Sequence, residues 1–308
     1  MKLAMIGLGR MGGNMVKRLA AGGHELVVYN RSHDVARRMA EESDAITAVE
    51  TIKQVVDSLE APRAIWLMVP HQVVDETIAA VIDAGLQAGD LIIDGGNSNF
   101  RESQRRGKEL AEQGFLFADS GTSGGIWGLT EGYSLMVGGS DDAIGLIEPA
   151  LKTLAPAPNR GWGHVGPVGS GHFVKMVHNG IEYGMMQAFA EGFELMQAKE
   201  EFDLDVNQIA HVWQHGSVVR SWLLDLTADA LEQDGSLSAL SDWMDDSGEG
   251  RWTVNESIEL GIPTPVLTLA LQMRFRSRQE SAFGGKIVNA MRAGFGGHAI
   301  KPVEEKEQ

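Results

Sequence analysis

The sequence predicts an α/β protein: a doubly wound, mostly parallel Rossmann-type sheet followed by an all-helical C-terminal domain built around one long helix. Three observations carry that reading. Short apolar runs alternate with amphipathic stretches over the first half of the chain, the pattern of parallel strands joined by crossover helices. A G-x-G-x-x-G, Gly7-Leu8-Gly9-Arg10-Met11-Gly12, stands immediately after the first of those runs. Beyond Gly169, about thirty residues run without proline and with apolar side chains at helical spacing.

Taken in order, strands are expected at Lys2–Ile6, Leu26–Tyr29, Ala64–Val69, Leu91–Asp94 and Phe115–Asp119, each closed by Gly, Asn or Pro. Tyr133–Val137 and Trp162–Val165 read as further strands, which an antiparallel extension of the sheet would accommodate. From Gly169 to Glu200 the residues Phe173, Met176, Val177, Ile181, Met185, Phe189, Phe193 and Met196 recur at helical spacing. That segment reads as one long helix buried on most sides. Shorter helices are expected around Val206–His215, Ser221–Leu231, Val254–Glu259 and Pro265–Gln279. The domains are therefore expected at 1–165, binding a dinucleotide, and 166–308, serving substrate binding and oligomerisation.

Composition narrows the function. The 308 residues include 42 acidic and 26 basic side chains, a formal charge of −16. Such a surface repels polyanions, which argues against nucleic acid or an anionic membrane as partner. Cysteine is absent, so disulfides, thiolate metal sites and cysteine nucleophiles are excluded. No apolar run is long enough to span a bilayer, and Met1–Ile6 lacks the features of a signal peptide. A soluble, cytoplasmic protein is expected. Its 38 glycines follow no Gly-x-y period, so their individual positions carry the information.

Gly7, Gly9 and Gly12 permit a tight turn and bring the N–H groups of Leu8 to Gly12 up to a pyrophosphate at a helix N-terminus. The second strand ends in Asn30-Arg31-Ser32, where an NAD site would place an acid on the ribose 2′-hydroxyl. Arg31 can stack on adenine and pair with a 2′-phosphate, and Ser32 can donate to it. NADP is accordingly favoured over NAD. Met68-Val69-Pro70, at the end of a later strand, is placed near the nicotinamide.

Two more glycine clusters, Asp94-Gly95-Gly96-Asn97-Ser98 and Ser120-Gly121-Thr122-Ser123-Gly124-Gly125, lie at strand ends, where open α/β sheets put ligands. The most informative stretch lies on the long helix. Lys175, His178, Asn179 and Glu182 stand at i, i+3, i+4 and i+7, forming one polar stripe among Phe, Val, Ile and Met. Polar groups so placed are costly to keep. A lysine deprived of water is more easily held neutral and can act as a base, and a shielded carboxyl can act as an acid. Acid and base about two turns apart suit opposite ends of a short substrate.

These residues resemble the decarboxylating 6-phosphogluconate dehydrogenases, in their short form, within the β-hydroxyacid dehydrogenase superfamily. The likeness runs from Lys2 to His298. It rests on I-I-D-G-G-N-S at 92–98, T-S-G-G at 122–125, G-H-F-V-K-M-V-H-N-G-I-E-Y at 171–183 and R-x-x-F-G-x-H at 292–298. It implies that Lys175 is the general base and Glu182 the general acid, with Asn179 beside them. It further implies substrate contacts from Asn97, Ser123, Gly124, Gly125, His178 and Tyr183, with Asn97 bordering the coenzyme as well, and a phosphate-binding role for Arg274. Arg292 and His298 would reach the substrate of a neighbouring subunit in a homodimer or homotetramer. The implied reaction converts 6-phosphogluconate to ribulose 5-phosphate and CO2 with reduction of NAD(P)+, a step of the pentose phosphate pathway. No metal is called for, because the lysine ammonium supplies the electrophile.

One departure stands out. Where the long form has a lysine and a threonine for the phosphate, this chain has Ser247 and Glu249, leaving Arg251 as a candidate. Two other readings compete. A dehydrogenase of the 3-hydroxyisobutyrate type would lack the Ile181-Glu182-Tyr183 continuation and the Arg292/His298 pair. A non-catalytic NADP-binding sensor would have lost Lys175.

Overall fold

The computed structural model describes residues 1–296. Eight strands form one sheet: β1 (Lys2–Ile6), β2 (Glu25–Tyr29), β3 (Ile46–Ala48), β4 (Ala64–Leu67), β5 (Leu91–Asp94), β6 (Leu116–Ser123), β7 (Ser134–Gly139) and β8 (Trp162–Gly166). Their order is β3-β2-β1-β4-β5-β6-β7-β8, parallel throughout except for the antiparallel β6–β7 pair. The chain reverses direction of travel between β1 and β4, the switch point where such sheets open a crevice at their carboxyl ends.

Seven helices interleave with these strands: α1 (Arg10–Ala21), α2 (His33–Glu42), α3 (Ile52–Asp57), α4 (Val74–Asp83), α5 (Phe100–Glu112), α6 (Gly128–Glu131) and α7 (Asp141–Leu154). Both faces of the sheet are covered, and side-chain alternation explains why. Leu3, Met5, Trp66 and Ile93 point into a core with Met15, Leu19 and Leu151, while Ala4, Ile6, Ile65, Leu67 and Ile92 join Val55, Ile78 and Leu110. Strands buried on both faces read as continuous apolar runs, which is why they were legible.

α8 (Ser170–Gln197) follows, then α9 (Val206–Gln214), α10 (Trp222–Gln233), α11 (Glu249–Glu259), α12 (Pro265–Ser277) and α13 (Phe283–Gly296). By compactness the chain divides into Met1–Gly180 and Ile181–Gln308, so the first ten or so residues of α8 belong with the sheet. In the second unit, Ala210, Leu224, Ala228 and Leu231 form one small core with Phe189, Phe193 and Trp213, and Tyr183, Ala270 and Leu271 form another.

Three expectations are corrected. β6 runs on through Ser123, because β7 pairs with it from Ala118 to Ser123, so only Gly124 and Gly125 form the turn. β3 and α13 were missed, the first being three residues long and the second glycine-rich. The long helix is not buried on most sides: Ile181, Met185 and Leu195 are 51%, 40% and 73% exposed. Its spacing marked an apolar face, but periodicity does not say whether that face is covered within one chain.

Candidate active site

Each glycine of the first cluster has a separate job. Gly7 adopts φ +97°, and a Cβ there would lie within 3.0 Å of the Met68 carbonyl. A Cβ on Gly12 would meet the Gly7 carbonyl. Gly9, by contrast, faces open space, in front of an α1 N-terminus that no side chain caps. Uncapped N–H groups beside a chain that leaves room for an anion fit the pyrophosphate of a dinucleotide. Leu8 donates its N–H to Asn30 Oδ1 at 3.0 Å, and Asn30 Nδ2 donates to the Ser32 carbonyl at 3.2 Å. Asn30 thereby ties the glycine turn to the end of β2. Arg10, Arg31 and Ser32 are exposed, and Met11 is half-buried. A cavity of about 270 Å³ lies beyond them, lined by His33, Arg37, Val49, Glu50 and Gln54. Sequence reading missed it, because Ala48, which also lines it, ends β3, a strand too short to read locally.

The second cluster leans on the turn after β4. A Cβ on Gly95 would lie 2.8 Å from Met68 Sδ, and one on Gly96 would lie 2.7 Å from the Val69 carbonyl. The glycines bring the loop carrying Asn97 onto the Met68-Val69-Pro70 turn. Asn97 is exposed at its tip.

The third cluster receives α8. A Cβ on Gly121 would lie 2.7 Å from the Gly171 carbonyl and 3.1 Å from Lys175 Cγ, and one on Gly171 would meet the carbonyls of Asp119 and Met136. Glycine on both strand and helix therefore lets the backbones touch. The helix start is held by Asp119, wholly buried at the end of the parallel part of β6, which accepts from the Gly169 and His172 N–H groups at 2.6 and 2.7 Å. An acid at a helix N-terminus satisfies orphan donors and complements the helix dipole. Asp119 lies 50 and 53 residues from its partners, and no local signal announces it.

On α8, Lys175 Nζ donates to Asn179 Oδ1 at 2.6 Å. His178 Nδ1 lies 3.0 Å from the same oxygen and 3.5 Å from Nζ. The predicted stripe thus exists as a hydrogen-bonded cluster around Lys175, with Asn179 buried and Lys175 and His178 half-buried. Glu182 is one further step along the same helix, half-buried, about 10 Å from Lys175 by helical rise. Ser123 and Gly124 are half-buried and Gly125 exposed, the two glycines at φ +131° and +51°.

In the second unit, Tyr183 is buried, with the Arg274 guanidinium 3.6 Å above its ring centroid. Such stacking holds a cation by the ring's negative face. Arg274 also donates to the Asp245 carbonyl at 2.6 Å, and the Tyr183 hydroxyl accepts from the Ser247 N–H at 3.3 Å. Arg251, the candidate for the missing lysine, is already engaged: it donates to both oxygens of Asp246 at 2.8 and 3.1 Å and stacks on Phe275. Arg278 bonds the same carboxylate at 2.6 Å. Glu249 is buried in the first turn of α11. Arg292 is exposed on α13, and His298 lies outside the described residues.

A doubly wound sheet with a glycine cradle at its switch point, joined to a helix bearing a lysine, an amide and an imidazole in one cluster, defines an NAD(P)-dependent dehydrogenase. Residues 2–166 match the NAD-binding domain of 6-phosphogluconate dehydrogenase, and residues 171–284 match the C-terminal domain of the same enzyme. The chain belongs to the 6-phosphogluconate dehydrogenase family. It is 44% identical over 303 residues to YqeC of Bacillus subtilis, covering 98% of this chain and 99% of that protein. It is 42% identical over 303 residues to the NAD+-dependent, decarboxylating 6-phosphogluconate dehydrogenase of Haloferax volcanii, covering 97% and 98%. Among solved structures, Plasmodium falciparum 6-phosphogluconate dehydrogenase, described apo, with NADP+ and with 6-phosphogluconate, matches with a TM-score of 0.82 at 28% identity. That match covers 100% of this chain and 67% of the other.

Proposed function

We propose that this chain oxidises and decarboxylates 6-phosphogluconate to ribulose 5-phosphate and CO2, reducing NAD(P)+. The observation that carries the proposal is the Lys175–Asn179–His178 cluster, set against β6 where Gly121 of the strand meets Gly171 of the helix that also bears Glu182. The glycine cradle and the α1 N-terminus would hold the pyrophosphate, and the Met68-Val69-Pro70 turn would border the nicotinamide. When bound, the nicotinamide supplies the acceptor for the hydride leaving C3.

Lys175, neutral at the outset, takes the proton of the C3 hydroxyl, and the carbon becomes a ketone β to the carboxylate. The resulting ammonium hydrogen-bonds the new carbonyl oxygen. As the bond to the carboxyl carbon breaks, its electron pair passes into an enediolate, whose charge that ammonium stabilises, and CO2 departs. Glu182 then delivers a proton to the carbon that becomes C1 of ribulose 5-phosphate. Asn179 orients Nζ, to which its Oδ1 is already bonded. Asn97, Ser123, Gly124, Gly125 and His178 are assigned to the carboxylate and hydroxyls, and Tyr183 and Arg274 to the phosphate. Arg274 carries its charge on an aromatic face, with a backbone carbonyl and the Met186 sulfur as its other neighbours, which suits it to an incoming anion.

NADP is the coenzyme favoured by Arg31 and Ser32, since Asn30, Arg31 and Ser32 stand at the end of β2 where an acid would receive a 2′-hydroxyl; the Haloferax relative, named as NAD+-dependent, keeps NAD the alternative. A second copy of the chain would cover the apolar surface the second unit leaves open, including Ile181, Leu195, Ile258 and Phe283. It would also lend Arg292 and His298. Among the described residues no helix is long and apolar enough to cross a membrane.

The test follows reduction of each coenzyme with and without 6-phosphogluconate while CO2 is measured, in the wild type and in Lys175→Met. Substrate-dependent reduction with matching CO2, abolished in the variant although coenzyme still binds, is the expected result. An active methionine variant would sink the base assignment, and reduction without CO2 would sink the reaction.

A further inference from the structure

The loop that carries Asn97 is held by a buried ionic chain. Asp94, at the end of β5, is wholly buried, and its two oxygens are divided between the loop's two sides. Oδ1 accepts from the Gly96 N–H at 3.1 Å, and Oδ2 accepts from the Ser98 hydroxyl at 2.7 Å. Asn97 is therefore flanked on both sides by residues stapled to one carboxylate. That carboxylate is in turn held by Arg106 of α5, itself 4% exposed, whose Nη1 donates to Oδ2 at 3.2 Å and lies 3.5 Å from Ser98 Oγ.

Arg106 does not stop at the loop. Its Nε and Nη2 donate to the two oxygens of Asp75 at 2.7 and 3.3 Å, and Asp75 sits in the first turn of α4, just beyond the Met68-Val69-Pro70 turn. Arg105 reinforces Asp75 from the solvent side at 2.9 and 3.0 Å. The planar guanidinium, with donors on fixed vectors, thus spans two carboxylates on two elements, a geometry that an ammonium cannot reproduce. Because Gly96 has no Cβ, the loop rests directly on Val69, on the coenzyme side.

We propose that Arg106 is a positioning residue for the reaction. Bridging Asp94 and Asp75, it sets where the Gly95–Ser98 loop, and with it Asn97, stands relative to the Met68–Pro70 turn that borders the coenzyme. The assignment rests on Asn97 being a substrate residue, as argued above. Removing the guanidinium leaves Asp94 buried without its cation, a state relieved by loop movement or water entry. Both displace Asn97. The glycine cradle around Gly7 to Gly12 contains none of these residues, so the pyrophosphate contacts that anchor the coenzyme stay in place.

The experiment compares wild type, Arg106→Met, Arg106→Lys, Ser98→Ala and Asp75→Asn in three readouts. These are steady-state kinetics with 6-phosphogluconate, coenzyme dissociation constants measured without substrate, and amide hydrogen exchange of residues 95–98 against residues 7–12. Arg106→Met is expected to raise KM or lower kcat by about 10- to 100-fold, the cost of misplacing a group that orients substrate. Its coenzyme affinity should stay within about twofold, while exchange rises at 95–98 and not at 7–12. Arg106→Lys should recover part of the loss, because one ammonium still neutralises Asp94. Wild-type kinetics in a folded Arg106→Met, or equal losses in substrate and coenzyme binding, would overturn the proposal. Should that variant not fold, Ser98→Ala and Asp75→Asn decide: weakened substrate use in either supports it, and unchanged kinetics in both overturns it. A wild type inactive on 6-phosphogluconate would fail the functional assignment instead, and the exchange pattern would still report on the clamp.

Discussion

Replacing Gly121 with alanine adds a single methyl group where β6 meets α8, and the structure allows its cost to be worked out. The new Cβ would stand 2.7 Å from the Gly171 carbonyl and closer still to Lys175 Cβ. Relief of both contacts to an ordinary 3.4 Å requires a separation of about 1 Å more between strand and helix, the Lys175 Cβ contact being the tighter one. One obstacle is backbone and the other lies next to backbone, so side-chain rotation cannot supply it. Overpacking of this kind costs about 1–3 kcal/mol. For a unit of this size that lowers the melting temperature by about 2–12 °C. The same shift moves Lys175, and a displacement approaching 1 Å at a reacting group costs about 100-fold in rate. Gly145→Ala is the matched control: exposed within α7, with nothing within 4 Å of its added Cβ, it should be neutral or stabilise by about 1 kcal/mol. Thermal denaturation and kcat at a temperature where both variants are folded make the comparison. A Gly121→Ala enzyme with wild-type melting would refute the packing argument. Lowered melting with an unchanged kcat would refute the placement of Lys175 as base.

Two more outcomes follow from the coenzyme end and from the second unit. Arg31→Ala should raise KM for NADP+ far more than for NAD+, and equal losses in the two steady-state series would remove the 2′-phosphate assignment. Asp246, whose carboxyl Arg251 and then Arg278 hold down to about 2 against the opposing effect of burial, titrates below its unfolded value. Its contribution to stability is therefore complete above about pH 4 and is lost as pH falls toward 2. Asp246→Asn should flatten the decline of the urea midpoint over that window, leaving the part due to other depressed acids such as Asp75 and Asp234. A variant with the wild-type acid slope would show that the arginine pair does not protect this carboxylate.

Much of the molecule could be read locally. Strands buried on both faces appear as unbroken apolar runs, so β1, β4 and β5 were evident, and the glycine turn after β1 announced a dinucleotide. The Lys175–Glu182 stripe was visible because helical spacing is a property of adjacent residues. β3 escaped because three residues offer no periodicity, and the true end of β6 escaped because its last four residues are strand only by virtue of β7.

What the sequence determined by itself was therefore local: the fold class, the cofactor turn and the polar face of α8. Tertiary structure alone decided which backbones touch and which charges are shared. Gly121 meets Gly171, Asp119 caps a helix begun 50 residues later, and Arg106 joins Asp94 to Asp75. Arg251, free in the sequence to serve the phosphate, is committed to Asp246. The physical reason is the same throughout. Periodicity and turn chemistry act over a few residues, whereas close packing and the neutralisation of buried charge depend on partners that only the folded chain brings within reach.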